Sequence, residues 1–308
     1  MPGPAEQPPR LGFGCAGLGA SRSAGTSEQL VRAAHDAGFR HFDVARSYGY
    51  GAAEEALAPL LRTADDVTVT TKLGIVPPAR SAALDLARGV ARRAVQVAPG
   101  LRRRLRARAE SMVHGGAFDV PSAVASFDAS RRALGVDRVD VLLLHECAPA
   151  DLTDELLEQL RRWRDDGAVG RTGIATGRDH TDAILATAPE GIEVVQVPDV
   201  LGTDPGPPGA PGAWVLTHSV LAGALPRLRE VVADPGVARR WGDALGVDAT
   251  DPAALAGLLL AAGLARNAAG TVLVSSSRPT ARGSPAAVTT AASTDAAEAL
   301  PGRPMPKR

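Results

Sequence analysis

Short β-branched or apolar runs recur along this chain, each followed by a stretch patterned for a helix, and that alternation most tightly limits its fold. Candidate strands lie at residues 40–45 (RHFDVA), 66–73 (DVTVTTKL), 139–146 (VDVLLLHE) and 171–177 (RTGIATG). Further runs at 192–197 (IEVVQV), 213–219 (AWVLTHS) and 270–277 (GTVLVSSS) continue the series, and the N-terminal RLGFGCAGL adds an eighth. Several are continuous apolar runs, as expected when both faces of a parallel sheet are covered. The helical patterns between them include SEQLVRAAHDAG, with Ser27 as N-cap and Gly38 as the stop, and TDELLEQLRRWRDDG, from a Thr153 cap to Gly167. Eight strands with interleaved helices predict a (β/α)8 TIM barrel over a doubly wound sheet, as a single domain across residues 1–293.

Two segments break the rhythm. An arginine-rich insertion at about 80–116 follows the third strand, read as a solvated helical insertion or as a lid receiving an acidic or phosphorylated ligand. The run DPGPPGAPG at 204–212 falls where the helix between strands six and seven belongs, and its prolines predict that this helix is missing or reduced to a loop. Residues 294–308 read as a weakly ordered tail.

The 34 basic and 34 acidic residues cancel, which gives no reason to expect nucleic acid or a membrane surface as partner. The two cysteines, Cys15 and Cys147, are too few for a disulfide framework and lack zinc-ligand spacing. The N-terminal run has no apolar core of a signal peptide, and the longest apolar stretch, 253–265, is too short for a bilayer, so a soluble cytoplasmic protein is expected. Only Lys72 and Lys307 are lysines, and only Tyr48 and Tyr50 are tyrosines.

GFGCAG at 12–17 matches a dinucleotide fingerprint literally, but no helix pattern follows at once, so it reads as the first barrel strand. The informative residues stand at successive strand ends: Asp43 after strand two with Tyr48 in the following loop, Lys72 at the end of strand three, and His145 at the end of strand four. In a barrel these ends meet at one mouth. An ammonium beside a phenol lowers its pKa and improves it as a proton donor. A carboxylate holds that lysine, and a neutral imidazole can hydrogen-bond a carbonyl oxygen.

The runs FDVARSYGYGAAEE, TVTTKLG, SFDASRRALGVDRVDVLLLHE and GAVGRTGIATG together resemble the aldo-keto reductases over about residues 11–292. The resemblance implies a (β/α)8 barrel using a nicotinamide cofactor, with Tyr48 as proton donor, Lys72 and Asp43 as its tuning pair and His145 as carbonyl orienter. For the cofactor it implies Thr176 and Gly177 in place of the usual Ser-Asn at the carboxamide, and the matching Gln196. Asp199 stands where an aromatic ring usually stacks on the nicotinamide. Ser219, Leu221 and Gly223 match the pyrophosphate loop, while Ser277 and Arg282, with Arg278 nearby, match adenosine-phosphate contacts. On these arginines NADP is expected over NAD. The substrate implied is a small carbonyl or sugar-like compound, acidic or phosphorylated if the arginine-rich insertion contacts it. Two alternatives stay open: non-redox acid–base chemistry on the same barrel, and a binding protein that keeps the fold.

Overall fold

The computed structural model describes residues 8–18, 24–76, 116–187, 189–202 and 204–275. The arginine-rich segment up to residue 115, the tail at 294–308, and Ser277, Arg278 and Arg282 lie outside the described residues.

The described residues form eight parallel strands closed into a barrel in sequence order. The strands are β1 (Leu11–Gly14), β2 (His41–Asp43), β3 (Thr68–Leu73), β4 (Val139–His145), β5 (Val169–Ala175), β6 (Val194–Pro198), β7 (Trp214–His218) and β8 (Thr271–Val274). The GFGCAG run is the first strand, with Phe13 in register with Phe42 of β2 and Val274 of β8. Gly173 of β5 permits the closest approach: a Cβ there would collide with the Val194 carbonyl of β6.

The described helices, numbered in chain order, are α1 (Ala24–Asp36), α2 (Ala52–Leu61), α3 (Val120–Leu134) and α4 (Asp154–Asp165), followed by α5 (Arg178–Thr187), α6 (Val220–Val231), α7 (Pro235–Leu245) and α8 (Pro252–Arg266). Local chemistry sets several of their ends. Thr153 caps α4 by accepting from the Leu156 N–H at 3.3 Å, and Asp119 caps α3 through the Ser122 N–H at 2.9 Å. Glycines with positive φ, Gly135 and Gly246, end α3 and α7. Ser27 departs from expectation. It lies fully buried inside α1, which begins at Ala24, because burying Leu30 and Val31 of the same helix outweighs the local capping preference. The apolar run at 253–265 forms α8, which packs on α6; among the described residues no helix is long and apolar enough to cross a membrane.

Between β6 and β7 the described residues contain no helix, as the prolines predict. Two arginines from neighbouring helices hold the connection instead. Arg266 of α8 donates to the Asp204 carbonyl at 3.0 Å, and Arg178 of α5 donates to the Gly206 carbonyl at 2.6 Å. At the opposite, N-terminal end of the barrel, His41 is fully buried with its ring nitrogens 2.9 and 3.1 Å from the hydroxyls of Thr68 and Thr70. His41 and its two threonines form a polar layer inside the barrel below the site, two residues before Asp43 on β2, and His41 feels the charges of Asp43 and Lys72.

Candidate active site

The C-terminal ends of β2, β3 and β4 are adjacent, and this brings Asp43, Lys72 and His145 to one mouth. Lys72 Nζ donates to Asp43 Oδ1 at 2.6 Å and to the Val44 carbonyl at 3.0 Å. From the far side of the barrel, Gln196 Nε2 on β6 donates to the same Asp43 oxygen at 2.9 Å. Both members of the ion pair are buried, Lys72 at 2% and Asp43 at 3% exposure, so the lysine is held charged by its partner and not by solvent. Tyr48 stands on a tight 3-10 turn, Tyr48–Gly51, with Lys72 Nζ 4.9 Å from its ring centroid. The His145 ring meets the Tyr48 ring edge-on, at 6.0 Å and 86°. The four residues expected at the mouth are therefore neighbours.

The turn that carries Tyr48 has its own support. Positive φ values of 57°, 61° and 90° at Gly49, Tyr50 and Gly51 curl the chain back over Arg46. A Cβ at Gly51 would collide with the Arg46 guanidinium. Arg46 Nη1 in turn donates to Glu54 Oε2 of α2 at 3.2 Å, and the Thr71 hydroxyl of β3 donates to Glu54 Oε1 at 2.8 Å. Glu54 is fully buried, so one carboxylate ties the turn, α2 and the strand bearing Lys72 together.

Electrostatics depart from the expectation in one respect. Burial pushes the Tyr48 phenol above its ordinary value; Lys72 pulls it down and Asp43 pushes it up, and burial wins. Burial alone would lower the Lys72 ammonium, but Asp43 and Tyr48 outweigh it and hold it above the usual lysine value. The neighbouring ammonium thus moderates the phenol without bringing it below a free tyrosine. Burial, reinforced by Lys72 and His218, lowers His145 to about 3, which keeps its imidazole neutral at neutral pH. Such a ring can donate one N–H to an oxygen without carrying charge.

A cavity of about 260 Å³ opens over this cluster. Tyr48, His145, Asp43 and Gln196 line one side; His218, Ser219, Val220, Leu221 and Ala222 line another. Ser219, at φ 67°, is the cap residue of α6, so the first turn of that helix faces the cavity and offers backbone N–H groups to an anion. Of the residues matched to the pyrophosphate loop, Ser219 and Leu221 reach the cavity. Gly223 does not: it lies one turn into α6, where a Cβ would collide with the Val200 side chain, so its smallness serves helix packing.

Three further matched positions are engaged elsewhere. β5 ends at Ala175, and the Thr176 hydroxyl, 2.6 Å from that of Thr181, is absorbed into the start of α5. The Gly177 carbonyl accepts the Thr181 N–H at 3.0 Å in the same turn. Neither Thr176 nor Gly177 lines the cavity. Asp199, expected at the ring-stacking position, is fully buried and held by Arg266 Nη2 at 2.6 Å, a partner 67 residues away. A buried carboxylate needs such a cation, and here the pair pins the β6–β7 connection.

Four residues of the site were not singled out in the sequence: Arg46, Glu54, Glu146 and His218. The last two carried a usable signal, since Glu146 directly follows β4 and His218 is the final residue of β7. Arg46 and Glu54 lie within the motif around Tyr48, where nothing local marks them as partners.

The aldo/keto reductase family model matches residues 10–198. A D-threo-aldose 1-dehydrogenase from Pseudomonas sp is 31% identical over 180 residues, 54% of this chain and 50% of that protein, so the alignment spans about half the length of this curated relative. Among solved structures, the chain resembles a Bacillus halodurans aldo-keto reductase in its holo form, at 17% identity and a TM-score of 0.61, covering 96% of this chain and 88% of that one. It also resembles a Gluconobacter oxydans glycerol dehydrogenase, at 15% identity and a TM-score of 0.63, covering 100% and 97%. At these identities the structural likeness speaks to the fold.

Proposed function

The chain belongs to the aldo/keto reductase family of oxidoreductases, and from that premise we propose that it interconverts a carbonyl and an alcohol on a small or sugar-like substrate, with Tyr48 as general acid/base. The observation that carries the reading is the buried Asp43–Lys72 pair set against the Tyr48 ring, beside a neutral His145, at the floor of one cavity.

The residues present fit a nicotinamide cofactor. Ser219 and Leu221, at the start of α6, suit its pyrophosphate. The ring face sought at Asp199 is offered instead by His218, whose imidazole burial keeps below its ordinary pKa. Arg278 and Arg282 favour NADP over NAD, because a guanidinium fork matches a 2′-phosphate. When bound, the cofactor supplies or accepts the hydride.

The chain's own groups handle the proton and the geometry. In the reductive direction the Tyr48 hydroxyl gives its proton to the carbonyl oxygen as that oxygen gains negative charge. The Lys72 ammonium stabilises the phenolate left behind, and Asp43 keeps the lysine in place. A His145 N–H directs the oxygen toward Tyr48. Oxidation reverses each step, with the Tyr48 phenolate taking the alcohol proton.

The test is Tyr48→Phe. Fluorescence titration with NADPH and NADH is expected to match wild type, while carbonyl turnover falls by about 10²–10⁴-fold, the usual worth of a general acid. Equal turnover by the two proteins would refute the reading. Product formed in cofactor-free buffer, with no nicotinamide binding, would point to the non-redox alternative.

A further inference from the structure

Val194 and Gln196 share one face of β6. Val194 belongs to an apolar cluster with Val141, Leu143, Leu216 and Leu273, the branched residues expected inside a (β/α)8 barrel. Gln196, next along that face, is only 3% exposed. A buried amide is costly unless it is hydrogen-bonded, and Gln196 meets that need across the barrel, on the strand four places away in the closed order. Its Nε2 donates to Asp43 Oδ1 of β2 at 2.9 Å. The strand ladders fix both ends of this link. Gln196 is in register with Ala175 and Leu216, and Asp43 with Gly14 and Thr70.

An ionised carboxylate only accepts hydrogen bonds, so the amide must turn its NH2 group, not its oxygen, toward Asp43. The oxygen it reaches is the one that also takes the Lys72 ammonium at 2.6 Å. An ammonium has three N–H groups. One of those on Lys72 goes to Asp43 and another to the Val44 carbonyl at 3.0 Å. The third is left for Tyr48, whose side chain interacts with the same ammonium. Where the ammonium sits against the phenol therefore depends on where the Asp43 carboxylate points, and Gln196 fixes that direction from the opposite wall. The same bond draws off part of the negative charge with which Asp43 pushes Tyr48 upward.

We propose that Gln196 is a positioning residue for the proton step: its amide holds the Asp43 carboxylate in the orientation that sets Lys72 against Tyr48. The inference rests on the reading of Tyr48 as general acid/base and deepens it. It gives Gln196 a task besides the cofactor contact that the sequence resemblance implies. Among the described residues, the groups that act on the Tyr48 phenol are Lys72, Asp43 and Cys15, with the neutral His145 ring edge-on to it. Burial pushes the Cys15 thiol far up, so it stays protonated. Loss of the Gln196 donor therefore reaches the phenol through Asp43 and Lys72.

The experiment titrates Tyr48 by absorbance in the full-length Tyr50→Phe protein, with neither cofactor nor carbonyl present. Urea unfolding first shows that each variant is folded. Gln196→Met keeps the bulk and removes the donor, and the Tyr48 midpoint is expected to rise by about 0.5. Gln196→Glu adds a second carboxylate beside Asp43 and is expected to raise it by about 1 or more. It gives the same comparison if the methionine variant loses its fold. In an Asp43→Ala background the Gln196→Met shift is expected to shrink below about 0.2, because the group it acts through is gone. In the oxidative direction, where the phenolate takes the proton, the pH at which kcat levels off should rise by the same amounts. An unmoved midpoint in both variants, whatever the NADPH affinity, or a shift that survives undiminished in Asp43→Ala, overturns the proposal. Loss of the carbonyl–alcohol reading shows itself separately, as Tyr48→Phe turning over like wild type while the phenol titration still reports on Gln196.

Discussion

Replacing Glu54 with alanine removes a carboxylate that two groups use, the Thr71 hydroxyl at 2.8 Å and the Arg46 guanidinium at 3.2 Å. The carboxylate side chain is 0% exposed and Arg46 is 26% exposed, so the variant leaves one buried donor and one partly wetted cation without their acceptor. Breaking a fully buried pair costs about 3–5 kcal/mol. Water can still reach the guanidinium, which offsets part of that, so the expected loss is about 2–4 kcal/mol. Glu54→Gln keeps an acceptor for Thr71 and should lose only about 1–2 kcal/mol. Urea unfolding measures both. A second readout concerns Tyr48, because Arg46 sits beneath its turn. In Glu54→Gln, still folded, kcat is expected to fall by about 10-fold to 100-fold with NADPH affinity unchanged, since small misplacements of a reacting group are costly. If Glu54→Ala unfolds within about 0.5 kcal/mol of wild type, the burial argument is wrong. If stability falls while kcat stays level, the pair holds the fold without placing Tyr48.

The remaining predictions concern titration. Tyr48 and Tyr50 are the two tyrosines, so Tyr50→Phe leaves one phenol for absorbance titration; it is expected to ionise above the ordinary tyrosine value of about 10, and higher still with Lys72→Met added. A midpoint below the ordinary tyrosine value of about 10, or no upward movement in the double variant, contradicts the balance of burial and ammonium described above. For stability, burial lowers His41 to about 4 and His145 to about 3 from an unfolded value near 6.5. Their contribution is complete above pH 6.5 and is lost as pH falls toward those folded values, because the unfolded chain then binds protons that the folded one refuses. Each histidine should add about 1.4 kcal/mol per pH unit to the slope. Urea unfolding of wild type and His41→Gln across that range isolates the His41 share, and identical slopes would count against it.

Periodicity and strand ends carried most of what was legible in the sequence. β3, β4 and the capped helix α4 stand within two residues of their expected limits, since continuous apolar runs and a Thr153 cap are local signals. The Asp43, Lys72 and His145 cluster was legible for a related reason: in a barrel, the end of a strand is already an address. Failures came where a partner distant in the chain decides. Asp199 looked like part of a binding surface until Arg266 claimed it across 67 residues. Glu54 gives no local sign of reaching Thr71 in a different element. Thr176 was displaced because the end of β5 was misjudged by two residues, which turned a mouth position into a helix start. The sign of the Tyr48 shift was missed for a different reason, because desolvation depends on how much of the chain covers a ring.

The helix-free connection between β6 and β7 has a consequence for how this barrel can be altered. Its two arginine clamps act at Asp199, Asp204 and Gly206, all before the exposed tip at Gly209–Gly212. A Cβ at Gly209 or Gly212 would meet nothing within 4 Å. With no helical face to keep in phase, length added beside Gly209 or Gly212 is tolerated as long as Ala210 and Ala213 keep their packing on the core, and doubling a flexible loop costs only about 0.6 kcal/mol. The connection is therefore a natural graft point: a peptide tag or small folded module inserted at the tip would leave the clamped base and the strands on either side in place.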